Sequence, residues 1–198
     1  VGLGNLMKTL GVEPRRERIG SNYNLQPNDF ILKFDLPEKD GDPDLFLDAL
    51  YEAGCDDASV GIGQNGRIAL NFIRQSHFAL DAIKSAIHDV KKAIPGAKLI
   101  EATPDIVGLT DISNILGFSR QNMRKIAVNK SAFPAPIHEG SVALWHLFTV
   151  LDWFKNSRSL EIEDSLIEIS KVNMHVNFAR QMSDIDPQLQ HSLQSIVA

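Results

Sequence analysis

The feature that most constrains this chain is a change of hydrophobic grammar at Pro104. Before it, apolar residues alternate in short runs of period two, separated by two segments of helical period; after it, short helical segments take over. Phe30, Leu32, Phe34 and Leu36 alternate with Ile31, Lys33 and Asp35, the pattern of a strand buried on one face. Asp42-Pro43 opens a helix through Leu47, Leu50 and Tyr51, which Gly54 stops. Ala58, Val60 and Ile62 give a second strand, Asn65-Gly66 a hairpin turn, and Ile68, Leu70 and Phe72 a third strand. His77 to Ile94 reads as a helix with Phe78, Ala82, Ile83, Ala86, Ile87, Val90 and Ile94 on one face. Pro95-Gly96 ends it, and Lys98 to Ala102 adds a fourth strand.

The resulting order, β-α-β-β-α-β, predicts an α+β fold that begins with a ferredoxin-like domain over residues 25–104: one antiparallel sheet with two helices on one side. Its open face would carry Lys33, Asp35, Ser59, Gly61, Ala69, Asn71 and Ile73. Those residues offer too few aromatics to stack bases, so single-stranded RNA recognition is a poor fit. Small-molecule-sensing domains of the ACT type share the topology, but topology alone carries no function; dimerisation or interaction is the plainer use.

From Asp105 to Arg158 the charge balance reverses. Residues 25–104 hold 8 basic and 13 acidic side chains, whereas 105–158 hold 6 and 4, and 159–198 hold 2 and 6. A net charge of −5 therefore hides one folded segment with a positive excess, which is where a polyanion would bind. Thr110 is placed to cap a helix through Asp111, Ile112, Ile115 and Leu116. Gly117-Phe118 then makes a turn, and Ser119 caps a second helix from Arg120 to about Asn129. Ile112, Ile115 and Leu116 would pack on Met123, Ile126 and Ala127, turning Arg120, Gln121, Asn122, Arg124 and Lys125 outward. Arginine pairs with guanine and Gln or Asn with adenine in the major groove, and a helix N-terminus favours phosphate. Phe133 to His138, the Glu139-Gly140 turn and Ser141 to Trp145 read as a hairpin, and Leu147 to Phe154 as a helix that closes the core.

Taken together, Leu109-Thr110-Asp111-Ile112, Leu116-Gly117-Phe118-Ser119-Arg120-Gln121, Phe133-Pro134-Ala135-Pro136 and Val150-Leu151-Asp152-Trp153-Phe154 resemble the winged helix-turn-helix of AlpA-like and excisionase-like regulators, related to the MerR DNA-binding domain. The resemblance covers about a quarter of the chain. It implies a bacterial or phage DNA-binding protein in which Ser119, Arg120, Gln121, Asn122, Arg124 and Lys125 meet double-stranded DNA, with Lys130 beside them. His138 and Ser141 would lie in the wing. The wing departs from the pattern by carrying His138 and Glu139 where Arg or Lys is usual. Trp145 and Trp153, set among apolar positions, read as core.

Beyond residue 158, Ser159 to about Met182 reads as a helix. Its Ile162, Leu166, Ile169, Asn173 and Val176 form a seam able to pair with a second copy, or else to fold back on its own chain. The first 24 residues, with Arg15, Arg16 and Arg18, read as a mobile basic arm. No apolar run approaches the ~20 residues a membrane span needs, and no leader pattern precedes the first strand, which predicts a cytoplasmic protein. A single cysteine, Cys55, excludes an internal disulfide, and its neighbours Asp56 and Asp57 would raise its pKa.

Gly61-Ile62-Gly63-Gln64-Asn65-Gly66 has dinucleotide spacing but leads into a strand rather than a helix, so it is rejected. The six histidines lack ligand spacing, and nothing calls for a metal, a cofactor or a catalytic site. The expectation is a non-enzymatic, sequence-specific transcriptional regulator, dimeric on a palindromic site. The alternatives are an excisionase-like factor that bends DNA and a regulator gated by a ligand or partner.

Overall fold

The computed structural model describes residues 28–37, 41–61, 65–128 and 133–197. The basic arm expected over 1–24 and Lys130 lie outside the described residues.

β1 (Asp29–Asp35), β2 (Ala58–Gly61), β3 (Arg67–Ile73) and β4 (Lys98–Thr103) form one sheet in the order β2-β3-β1-β4, with every neighbouring pair antiparallel. The alternation sets the register: Phe30 faces Phe72, Leu32 faces Leu70 and Phe34 faces Ile68, all buried on one side. Two helices close that side, α1 (Leu47–Ala53) and α2 (Ala79–Ala93), through Leu50, Ala82, Ile83, Ala86 and Val90. Asp42 accepts from the Asp44 N–H at 3.0 Å and starts a 3-10 turn at Pro43 that runs into α1. Gly54, at φ 105°, ends it in the left-handed region. Phe78 departs from its expected place on the buried face. It stands in extended conformation before the first turn of α2 and is 62% exposed, because Ala79 rather than His77 begins the helix.

A second core follows Pro104. β5 (Ile106–Val107), α3 (Leu109–Ile115), α4 (Arg120–Val128), β6 (His138–Glu139), β7 (Ala143–His146) and α5 (Leu147–Arg158) enclose Ile112, Ile115, Leu116, Met123, Ile126, Phe133, Trp145 and Phe154. Three departures from the sequence reading stand out here. The α3 cap is Gly108, not Thr110; Asp111, three residues into the helix, reaches back and accepts from the Gly108 N–H at 2.9 Å. β5, two residues long, joins β7 and makes a three-stranded sheet in the order β5-β7-β6. Finally, the strand expected over Phe133–His138 is only two residues long. Pro134 and Pro136 have no N–H to donate, and Phe133 turns inward instead, edge-on to Trp145 and Trp153 at 5.7 and 5.2 Å.

α6 (Asp164–Met182) then runs back across both cores. It starts later than Ser159, because that residue sits at φ 51° and ends α5. Leu166 packs into the second core and Ile169 into the first, so the seam considered for self-pairing is spent within the chain. Its Glu168 accepts from the Ala79 N–H at 3.0 Å and caps α2 from 89 residues away. A further helix, α7 (Pro187–Val197), follows, where the sequence reading assigned no structure. No described helix is long and apolar enough to cross a membrane.

Candidate nucleic-acid interface

α4 is held by its apolar side and presents its polar side. Met123 and Ile126 are buried against Ile112, Ile115 and Leu116 of α3, with Ala127 beside them. The turn between the helices depends on Gly117, whose φ of 67° would strain any residue with a Cβ. The Phe118 N–H bonds back to the Ser113 carbonyl at 2.9 Å, and the Phe118 ring lies 5.6 Å from that of Phe154, which fixes the entry to α4. The Ser119 hydroxyl accepts from the Asn122 N–H at 3.2 Å, as its capping position predicts.

Arg120, Gln121, Arg124 and Lys125 are exposed on the outer face of the helix, while Asn122 is half-buried beside its cap. Among the described residues, no acidic side chain pairs with Arg120, Arg124 or Lys125. The three cations therefore keep their full attraction for an external anion, next to a helix N-terminus whose first N–H groups have no partner within the helix. His138 and Ser141 are exposed at the tip of the β6-β7 hairpin, separate in sequence and element from α4. Gly140 sits so close beneath the His138 ring that a Cβ there would lie 2.8 Å from Nε2. Trp145 is unavailable for stacking: it is buried, and its Nε1 donates to the Pro134 carbonyl at 3.0 Å. Trp153 packs on Phe133, with the Arg158 guanidinium 5.2 Å above its ring.

The joint that carries this unit on the sheet was not anticipated. Asp105 is fully buried, with Oδ1 2.7 Å from His146 Nδ1, while Oδ2 accepts from Asn177 Nδ2 at 2.7 Å. The same Asn177 amide also bonds both polar groups of Ala102, donating to its carbonyl and accepting from its N–H, each at 2.8 Å. One side chain thus satisfies the outer edge of β4 and ties it to the connector. The Leu147 N–H donates to the Asp105 carbonyl at 2.7 Å, so α5 also hangs from this residue.

Beside the joint lies a cavity of about 420 Å³ between the sheet's second face and the first helix of the pair. Ile31, Asn71, Ile106, Val107, Ile115 and Leu166 line it, together with Asp29, Asp105 and Asp111. Burial holds the Asp29 carboxyl above its usual range. In the sequence reading no residues marked such a pocket, because its walls come from five separated segments.

In comparisons with known proteins, no family model, no curated protein and no solved structure matches the chain.

Proposed function

We propose that the chain is a sequence-specific double-stranded DNA-binding regulator without catalytic activity. In this reading α3 and α4 form the helix-turn-helix, the β6-β7 hairpin forms its wing, and the βαββαβ unit is a ferredoxin-like platform. The observation that carries the proposal is the set Arg120, Gln121, Arg124 and Lys125, whose three cations have no acidic partner among the described residues, on the outward face of a nine-residue helix whose other face is locked into a core. Lys84, Lys91 and Lys92 of α2 are likewise without an acidic partner among the described residues, so the reading rests on the α4 cations standing together with Gln121 on the outward face of the second helix of the pair, where a duplex would meet them. The β5-β7-β6 sheet order supports the winged arrangement, since the strand before α3 pairs with the far strand of the hairpin.

Arg120, at the first position of α4, and Gln121 reach base edges in this reading. Arg124 and Lys125, one turn on, meet phosphates. Arg120→Ala is expected to weaken binding by about 1–3 kcal/mol and to relax preference at one base pair. Lys125→Ala weakens binding to all duplexes alike and reduces the slope of log affinity against log salt by about one unit. Titrating both variants against labelled duplex at several salt concentrations tests this assignment; an unchanged slope for Lys125→Ala removes it from the phosphate contacts.

The cavity favours a second, compatible reading, in which a small molecule gates binding from between the sheet and α3. Its volume falls in the range of small-molecule sites, and it sits where two units meet. A thermal-shift screen with amino acids and nucleotides tests it, because a ligand that binds only the folded state raises Tm.

A further inference from the structure

We infer that α7 is a self-association surface that pairs with α7 of a second copy of this chain. Leu189, Leu193, Ile196 and Val197 recur at i, i+4, i+7 and i+8 and so share one face of the helix, with His191 on the opposite side. None of the four is less than 46% exposed. Asp186 builds the helix start through its carboxylate, which accepts from the Gln188 N–H at 2.8 Å, so the segment is a defined helix rather than a frayed end. Met182, at the end of α6, and Ile185, between the two helices, are exposed as well.

Charge selects the occupant. Residues 187–197 contain no Asp, Glu, Lys or Arg. A helix that lies on an anionic membrane carries basic residues along its polar face, and this one has none. Two copies of α7 can approach without like-charge contact, although each chain carries a net charge of −5. The nearest charge, Asp186, is held by the N–H groups of the first turn, and Arg180 and Asp184 before it neutralise each other at 3.1 Å. The spacing is also that of a helix packing on a helix of the same period.

The surface is small. At roughly 60–120 Å² of apolar area per side chain, these half-exposed residues offer on the order of 350 Å² per copy. Stable dimers bury about 800 Å² per partner, so the pairing is reversible and set by concentration. This inference supplies the contact that a dimer on a palindromic site would use, and so deepens the preceding reading. Its test reads mass rather than DNA affinity, so the two fail independently.

Sedimentation equilibrium of the full chain from about 1 to 100 µM should show the mass rising from 21.9 kDa toward twice that value. Leu189→Asp with Leu193→Asp should hold it at the monomer value with an unchanged far-ultraviolet spectrum, while Gln194→Asp on the polar side should associate like the parent. If the double variant loses helix, Leu193→Ala keeps good helix propensity and should raise the dissociation constant at least tenfold. A parent that stays monomeric throughout, a double variant that still associates, or α7-dependent flotation with neutral phosphatidylcholine vesicles would each overturn the inference.

Discussion

The cations of the first sheet and those of α4 differ in what the fold brings opposite them. On the sheet, Lys33 pairs with Glu101 at 2.8 Å and Arg67 with Asp35 at 3.1 Å. Arg74, only 10% exposed, spends all five of its N–H groups: two on Asp57, one each on Asp89 and Ser85, and one on the Gly54 carbonyl. On α4, three cations have no acidic partner among the described residues. Arg74 holds the fold together, whereas Arg120, Arg124 and Lys125 face outward, as Lys84, Lys91 and Lys92 of α2 also do. Local sequence does not distinguish the two uses, since Arg74 and Arg120 both stand among polar neighbours. The difference lies in what the fold brings opposite each one.

The largest effect that could break this comparison is at Arg74. Its removal leaves Asp57 and Asp89 facing each other half-buried without their counter-ion, and Arg74→Ala is expected to cost about 3–5 kcal/mol in urea unfolding. Burial alone would lower the guanidinium's pKa, yet its bonds to Asp57 and Asp89 more than offset that, so the group stays charged at every working pH. A loss under ~1 kcal/mol would put Arg74 in the same class as the α4 cations. Asn177→Ala comes next, at about 2–3 kcal/mol, because it strands the Ala102 groups and one Asp105 oxygen together. Differential scanning calorimetry measures this, and an unchanged Tm would mean that water replaces the amide. In contrast, Arg120→Ala and Lys125→Ala are expected to change stability by less than ~0.5 kcal/mol while altering DNA affinity. A clear drop in Tm for either would assign these residues to the fold.

The smallest effect concerns Cys55. Burial, followed by Asp89, pushes its thiol from an ordinary 9.0 up to about 11. Between those values the unfolded chain has released a proton that the fold retains, so this group's contribution to stability falls as pH rises through 9 to 11 and is constant below. Cys55→Ala should flatten the decline over that window, and native Cys55 should resist iodoacetamide below pH 9. Adjacent acids were the expected cause of the raised pKa, and they do contribute. Packing around the thiol and the Asp89 carboxylate raise it more, and Asp89 stands 34 residues further along the chain.

That pattern separates what was legible in the sequence from what was not. The four strands, α1, α2 and the α3-Gly117-α4 arrangement each carry a local signal: alternation, a cap, a glycine at positive φ or an apolar stripe. The Asp105–His146–Asn177 joint has no such signal, because its partners lie 41 and 72 residues apart and no periodicity links them. β5 is too short to show a period, and it becomes a strand only because β7 arrives beside it. α7 is not among the expected helices, although Asp186-Pro187 and the spacing of Leu189, Leu193 and Ile196, a cap and an apolar face together, carry its signal. The outward set Arg120, Gln121, Arg124 and Lys125 was readable because Met123 and Ile126 fix which side of α4 is buried. Whether an exposed cation finds an internal partner depends on the whole fold.

The central claim is that the outward face of α4 reads duplex DNA. Selection of random double-stranded DNA by the purified protein, followed by salt titration of the winning site, tests it most directly. The expected result is an enriched palindrome, nanomolar binding and a steep fall in affinity with salt, flattened in the Arg124→Ala and Lys125→Ala variants. No enrichment, with weak binding to every duplex that is indifferent to those substitutions, would contradict it.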